Sequence, residues 1–232
     1  MTHRLSSSAK ADDPVIRDIY VRHCGAKSRV QCLLDARRSL PSGRASRGPV
    51  GGHDESKIGA VDITSSNPMP TAPASYSLRA PKPGDFGWIV SRHAALYAQE
   101  YGWVAPFEGL CAQIVADFVN TNDPTRERCW IADRDGENVG SVLLVQDRPG
   151  VARLRLLLVD PTARGRGLGS RLTGEAIGFA RAAGYQKVTL WTHSVLTAAR
   201  HTYERAGFTL TASEKRHSWG QDVVAEYWDL EL

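Results

Sequence analysis

The sequence of 232 residues lacks any apolar run near the roughly 20 residues that a membrane-spanning helix needs. Its first residues, MTHRLSSSAKADD, also lack the apolar centre of a secretory signal, so we expect a cytoplasmic protein with no membrane partner. The four cysteines, Cys24, Cys32, Cys111 and Cys129, form no CxxC pair. Neither their spacing nor the scattered histidines predicts a zinc site, so we expect reduced thiols and no metal.

The first 74 residues have almost no aromatic side chains. They contain one, Tyr20, and run through LPSGRASRGPVGG and SSNPMPTAPAS. This composition offers too few bulky apolar groups to offset the entropy lost on ordering. We therefore predict a mostly disordered leader over residues 1–74 and one folded domain over residues 75–232. A wrongly assigned translation start would give a similar leader, and the sequence leaves both interpretations open.

The folded domain also lacks an excess of either charge. The net charge is +4, but residues 1–74 carry 11 Lys and Arg against 7 Asp and Glu. From totals of 29 and 25, this leaves 18 basic and 18 acidic residues for the rest of the chain. A balanced domain has no general attraction to a phosphate backbone, so we do not expect it to bind nucleic acid. Nucleic-acid binding through the basic leader stays open as an alternative.

From Tyr76 onward the sequence alternates between strand and helix patterns. SYSLRAP predicts a short strand, Asp85 is the predicted N-cap of a helix ending near Gly102, and a second helix is expected at about 106–120. RCWIADRDGENVGSVLLVQD and VARLRLLLVD predict a three-strand meander with a first turn at Asp135–Gly136. A helix, a strand, a helix and two strands follow. This order predicts an α/β (α+β) domain with a mixed sheet of seven strands and helices on both faces.

The segment LLLVDPTARGRGLGSRL joins a strand to a helix through Gly165, Gly167 and Gly169. Unpaired amides and the positive end of a helix dipole at one place favour an anion, and glycine lets phosphate oxygens approach the backbone. Arg164 and Arg166 add positive charge beside it. The pattern predicts a phosphate site, although packing alone produces similar turns. The segment does not match GxGxxG, and no acidic residue ends the next strand, where a dinucleotide site would need one for the ribose. It is not a P-loop either, because the Lys-Ser/Thr ending is missing.

The whole segment 152–208 resembles the acetyl-coenzyme A binding core of the GCN5-related N-acetyltransferase (GNAT) superfamily. The family's diphosphate signature, Arg/Gln-x-x-Gly-x-Gly/Ala, matches residues 164–169, and its helix-ending Tyr…Gly-Phe motif matches residues 203–208. Residues 76–232 look in particular like the acetyltransferase half of bacterial proteins in which a MarR-type winged helix precedes a GNAT domain. Residues 1–74 show no winged-helix pattern, so a regulator role does not carry over.

This resemblance implies a mostly antiparallel GNAT-like sheet and acetyl-CoA as co-substrate. In the family, the strand before the glycines pairs with the pantetheine arm, and the amides that follow hold the diphosphate. The residues implied to bind the cofactor are Leu157, Leu158, Val159, Arg164, Gly165, Arg166, Gly167, Leu168, Gly169 and Ser170. Tyr203 matches the tyrosine that often protonates the departing thiolate. The family's asparagine seven residues earlier is Leu196 here, so that contact is lost or supplied otherwise.

Transfer of acetyl to an amine requires the amine to be neutral, and a lysine-like amine has a pKa of about 10.4. The sequence offers four candidate bases: His93, Glu100, His193 and Glu226. We select His93 and Glu100, together with Tyr203, as the catalytic set. A buried imidazole or an ion-paired carboxylate would also fit a structural role at each position. Tyr97, Tyr101 and Trp103 either line an acceptor cavity or belong to the core.

The sequence therefore predicts an N-acetyltransferase that moves acetyl from acetyl-CoA to an amine by direct transfer in a ternary complex. Cys111 and Cys129 have no histidine partner close in sequence, so a covalent intermediate is not expected. A small-molecule amine and a protein lysine both remain candidate acceptors, and a homodimer remains open. The alternative is a non-catalytic acyl-CoA-binding sensor or regulatory module.

Overall fold

A computed structural model describes residues 76–232, and the leader predicted over residues 1–74 lies outside the described residues. The strands are β1 (Ser77–Arg79), β2 (Arg128–Arg134), β3 (Glu137–Arg148), β4 (Val151–Val159), β5 (Lys187–His193), β6 (Thr209–Ser218) and β7 (Gln221–Glu231). The helices are α1 (Asp85–Tyr101), α2 (Pro106–Thr121), α3 (Leu168–Ala182) and α4 (Thr197–Arg205), with a short 3-10 turn at Pro161–Ala163. In this part of the chain no helix has the length and apolar character that a membrane crossing requires.

The strands form one sheet in the order β1-β2-β3-β4-β5-β7-β6. Only the β4–β5 pair is parallel, with α3 as the crossover, and the other neighbours are antiparallel. Asp135 and Gly136 have positive φ values of 56° and 88°, and Trp219 and Gly220 have values of 52° and 87°. These values give the β2–β3 and β6–β7 hairpins tight turns that match the strand twist. The predicted mixed, mostly antiparallel sheet of seven strands is confirmed.

Side chains of the central strands alternate between two hydrophobic clusters, one on each face of the sheet. In β2, Trp130 and Ala132 join a cluster that includes residues of α3 and α4, whereas Cys129 and Ile131 join a cluster with residues of α1 and α2. Leu172 of α3 is fully buried in the first cluster. The prediction of helices on both faces is confirmed.

The start of α1 differs from the prediction that Asp85 is its N-cap. Gly84 occupies the cap position with φ 99°, and Asp85 is the first helical residue. Its carboxylate accepts hydrogen bonds from Arg79 at 2.6 Å and from the Asn138 amide at 2.9 Å, which connects α1 to β1 and β3. Burial acts to raise the pKa of Asp85, but hydrogen bonds from Arg79 and the backbone N–H of Lys82 lower it to about 2. The carboxylate is therefore ionised and anchors the helix.

The sheet divides between β4 and β5. Their pairing ends at Leu154 opposite Leu190, although β4 continues to Val159 and β5 to His193. A bulge in β4 accompanies the division: the register with β3 shifts, and Leu156 has φ 47°. Beyond that point β4 stays paired with β3, and β5 stays paired with β7. The ends of the two strands thus leave a cleft with unpaired backbone groups on both sides.

Candidate active site

The larger of two cavities at this division has a volume of about 370 Å³ and lies along the end of β4, the turn that follows it, and α4. We call it the loop cavity. Nine of the ten predicted cofactor residues line it: Leu157, Leu158, Val159, Arg164, Gly165, Gly167, Leu168, Gly169 and Ser170. Arg166, the tenth, is exposed and is not among the lining residues. One continuous segment therefore forms a wall of this cavity.

The backbone of the turn has the geometry of an anion site. Gly165 and Gly167 have φ of 74° and 78°, which favour glycine, and a Cβ at either would project into open space. Gly167 is the N-cap of α3 and offers no side-chain hydrogen bond. The first backbone hydrogen bond of the helix runs from the Arg171 amide to the Gly167 carbonyl, at 3.0 Å. The amides of residues 168–170 therefore remain available beside the positive end of the helix dipole. Such amides bind phosphate groups well.

Glu100, a predicted base, lies in the loop cavity and forms an ion pair there. Its Oε1 is 2.8 Å from a guanidinium nitrogen of Arg164, whose Nε also donates to the Val159 carbonyl at 3.1 Å. Glu226, another candidate, has its Oε2 3.1 Å from Arg200 Nε in an ion pair and accepts a hydrogen bond from the Trp228 indole N–H at 3.2 Å. Both carboxylates therefore have cationic partners, and neither lines the second cavity described next.

The second cavity, of about 80 Å³, lies on the α1–α2 side of the division, and we call it the aromatic cavity. Its walls include Tyr97, Trp103, Phe107, Trp191, His193, Tyr203 and Trp219, from six different segments of the chain. Four residues line both cavities: Tyr97, Leu157, Leu196 and Ala199. The two cavities therefore meet where β4 leaves β5.

Two imidazoles line the aromatic cavity. His93 is 2% exposed, and its Nδ1–H donates to the Ile89 carbonyl at 2.8 Å, which leaves Nε2 as an acceptor. Burial lowers the pKa of His93 to about 4, and burial together with the nearby charge of Arg216 lowers the pKa of His193 to about 4. Within residues 76–232 neither Nε2 atom has a hydrogen-bond partner. Both rings are therefore neutral at pH 7.

Tyr203, the predicted general acid, lies on α4 and lines the aromatic cavity. Burial raises its pKa, so its hydroxyl stays protonated at neutral pH and can donate a proton. Ala199, one turn earlier, lines both cavities and leaves the space before the tyrosine open. Leu196, which stands in place of the family's asparagine, is also at the junction of the two cavities.

Sequence reasoning missed Phe107, Trp191 and Trp219 as parts of one cavity. The Trp219–Gly220 pair between two strands is a visible hairpin signal, but the surface that the turn covers depends on tertiary packing. Burial raises the pKa of Cys111 and of Cys129 to about 12, so neither thiol supplies a nucleophilic thiolate at neutral pH. In the described part of the chain no group of His, Cys, Asp or Glu is placed to hold a metal ion.

The chain is similar in sequence to proteins of known family. The profile of the Acetyltransferase (GNAT) family matches residues 93–208. A mycothiol acetyltransferase of Sanguibacter keddieii is 32% identical over 178 residues, which cover 71% of this chain and 55% of that protein. The chain spans about half the length of the curated relatives it matches.

Solved structures share the fold at low sequence identity. An N-acetyltransferase of Staphylococcus aureus superposes with a TM-score of 0.58 at 16% identity, covering 68% of this chain and 98% of that one. A Salmonella typhimurium acetyltransferase determined with its cofactor acetyl-CoA gives 0.54 at 17% identity, covering 68% and 94%. At such identities the likeness shows the fold alone.

Proposed function

Because the chain belongs to the acetyltransferase (GNAT) family, we propose that it transfers an acetyl group from acetyl-CoA to an amine by direct transfer in a ternary complex. The loop cavity is the observation that carries this proposal. It joins unpaired amides at a helix N-terminus to the free edge of β4, and it opens at Leu157 into a second cavity. A donor and an acceptor can therefore meet at the divided sheet.

The residues of the loop cavity fit the parts of coenzyme A. The diphosphate suits the amides of residues 167–170, because Gly165 and Gly167 beside them have positive φ and an added Cβ at either would meet nothing within 4 Å. The pantetheine arm suits the end of β4, because residues 157–159 have no β5 neighbour and can pair as a strand edge. Arg205 also lines this cavity and can add positive charge. Arg200, in contrast, is bound to Glu226 at 3.1 Å.

The transfer requires one proton to leave the amine and one to reach the sulfur. Acetyl-CoA supplies a thioester whose carbonyl carbon bonds to the amine nitrogen as the carbon–sulfur bond breaks. Tyr203 donates its hydroxyl proton to the departing sulfur and takes back the proton that the nitrogen releases, so the tyrosine is restored. Its raised pKa keeps the hydroxyl protonated throughout the neutral range, so the proton is present for donation.

The two predicted bases have unequal support. His93 lines the aromatic cavity with an unpaired Nε2, which can accept a hydrogen bond from the amine and orient its lone pair. Its low pKa makes it a weak base, so desolvation in the cavity must supply much of the preference for a neutral amine. Glu100 is paired with Arg164, and we assign it to the cofactor side rather than to the amine.

Tyr203→Phe tests the proposed acid. We expect kcat for thiol release from acetyl-CoA to fall by about 100-fold, the usual contribution of a positioned acid, with little change in the KM for acetyl-CoA. Tyr185→Phe is the matched control, because the Tyr185 hydroxyl donates to the Arg126 carbonyl at 3.0 Å and lines neither cavity. An unchanged kcat in Tyr203→Phe, when chemistry limits turnover, contradicts the acid role.

A non-catalytic acyl-CoA sensor remains the competing function. Tight coenzyme A binding without thiol release across a broad amine panel supports the sensor and rejects the enzyme. The panel should include a mycothiol-type acceptor, since several relatives carry that name. The resemblance to the acetyltransferase half of winged-helix fusion proteins, the domain boundary near residue 75 and the cytoplasmic location stay predictions from sequence.

A further inference from the structure

The aromatic cavity has flat walls that pack against one another. The ring centroids of Trp103 and Trp219 are 4.2 Å apart, those of Tyr97 and Phe107 are 4.7 Å apart, and those of Trp191 and His193 are 4.6 Å apart. Rings at such distances are in contact and hold each other in fixed orientations around the cavity. A cavity of about 80 Å³ with rigid flat walls admits a small ring or a short chain and excludes a folded peptide.

The charge of this cavity disfavours a cationic acceptor. Of its described lining residues, Arg155 alone is charged at neutral pH, because His93 and His193 are neutral and no carboxylate is present. No carboxylate among these lining residues offers a counter-ion, so an ammonium group would lose its water without compensation. An amine that binds here is therefore selected in its neutral form, and polyamines are disfavoured.

Several polar atoms around the cavity still need partners. The Nε2 atoms of both imidazoles and the indole N–H groups of Trp103 and Trp191 are buried with no hydrogen-bond partner among the described residues. An unpaired buried donor or acceptor is costly, so a ligand with a polar group beside an apolar body would be stabilised at this position. The cavity thus combines aromatic walls with a few fixed hydrogen-bonding atoms, which is typical of a site for one small ligand.

Trp219 closes this cavity from the tip of the β6–β7 hairpin. Trp219 has φ 52°, and its indole packs against Trp103 and Phe107 with ring centroids 4.2 and 5.1 Å away. The tip is fixed to the loop between α1 and α2, because Gln221 donates to the Tyr101 carbonyl at 2.5 Å and the Val104 amide donates to the Trp219 carbonyl at 3.4 Å. The hairpin therefore holds one wall of the cavity, and that wall is a single indole.

We propose that the acceptor is a small primary amine attached to a flat aromatic ring, which stacks against Trp219 with its amino group directed toward Tyr203. This inference rests on the proposed acetyl transfer and adds the substrate class. The ring occupies the aromatic cavity, and the short link to the amine reaches the junction at Leu157 and Leu196, where the two cavities meet. Trp219 is then a specificity-determining residue.

The test compares four acceptors in thiol release from acetyl-CoA: 2-phenylethylamine, its saturated analogue 2-cyclohexylethylamine, glucosamine and spermidine. We expect kcat/KM for 2-phenylethylamine to exceed that for the saturated amine by about tenfold and those for the other two by about 100-fold or more. Trp219→Ala should lower the phenyl-to-cyclohexyl ratio to near one, whereas Trp219→Phe should keep most of it. Leu210→Ala is the control, because Leu210 lies on the same hairpin, is 46% exposed and lines neither cavity.

Binding gives a second measurement that does not depend on turnover. Three of the six tryptophans line the aromatic cavity, so 2-phenylethylamine should quench the intrinsic fluorescence of the coenzyme A complex, and quench it less in Trp219→Phe. Glucosamine or spermidine acetylated as efficiently as 2-phenylethylamine, or an unchanged ratio in folded Trp219→Ala, overturns the substrate class but leaves acetyl transfer intact. No thiol release with any amine, including the mycothiol-type acceptor, overturns the proposed function itself.

Discussion

The loop cavity and the aromatic cavity are adjacent, but they are made of different parts of the protein. Main-chain amides, two glycines with positive φ and the end of one strand form much of the loop cavity, and nearly all of these belong to residues 157–170. Side chains from several distant segments form much of the aromatic cavity. The first is suited to a ligand part that is constant, and the second to a ligand part that can differ between related proteins.

The two sides of the divided sheet therefore suit different parts of the reaction, with the cofactor on one side and the acceptor on the other. Backbone geometry is set by the fold, so a diphosphate site of this kind survives many side-chain substitutions. A cavity lined by aromatic side chains changes shape with each substitution, so the acceptor can change while the cofactor stays the same. The two cavities should therefore respond differently to pH, to substitution and to changes of charge.

The largest expected difference is the response to pH, because only the aromatic cavity contains buried neutral imidazoles. The folded-state pKa values of His93 and His193 are about 4, below the value of about 6.5 in the unfolded chain. The unfolded chain then binds more protons between these values, so stability is full above pH 6.5 and falls as the pH drops toward 4. At pH 5 we expect a loss of about 2 kcal/mol for each imidazole relative to pH 7.

Urea unfolding at pH 7, 6 and 5 measures this loss. His93→Gln and His193→Gln should each make the free energy of unfolding depend less on pH. This expectation concerns the slope with pH and holds even if a substitution changes the stability at pH 7. His201→Gln is the control, since the His201 side chain is 78% exposed. Coenzyme A binding should change little over the same range, and a pH dependence unaltered in both variants would show that the rings are not buried as neutral groups.

The loop cavity should be most sensitive to a change in its backbone. Gly167→Val forces a β-branched residue into a positive φ of 78° and places a side chain where the diphosphate is proposed to lie. We expect the dissociation constant for coenzyme A to rise by about 100-fold, or about 2.7 kcal/mol, in calorimetric titrations.

Gly178→Ala on the same helix is the matched control for Gly167→Val. Gly178 is exposed in the interior of α3, with nothing within 4 Å of an added Cβ. Coenzyme A binding should be unchanged and stability slightly higher, by about 0.5–1 kcal/mol. Gly167→Ala serves as a milder variant if the valine prevents folding, and near-normal binding by folded Gly167→Val would place the diphosphate elsewhere.

The contrast between the cavities also explains what the sequence could and could not predict. The loop cavity is local: a strand, the glycines and a helix start follow one another within residues 157–170, so their spacing predicts the site. Trp103, Trp191 and Trp219 are far apart in sequence, and only the path of the chain brings them together. The seven strands follow from alternation and turn residues in the same local way, whereas the ion pair of Glu100 with Arg164 depends on how α1 packs.

The smallest expected effect is that of substituting Glu100, which lines the loop cavity but not the aromatic cavity. Glu100→Gln removes a negative charge 2.8 Å from Arg164 and so reduces repulsion of the coenzyme A phosphates. Because Arg164 is 45% exposed, solvent screens most of this interaction, and we expect coenzyme A to bind only about two- to fivefold more tightly at low salt, with the gain lost at high salt. The kcat should stay within about threefold of the parent, because the carboxylate does not line the aromatic cavity. A fall in kcat of about 100-fold with the loss of a basic limb in the pH profile would instead make Glu100 the base, and the amine would then have to approach from the cofactor side of the sheet.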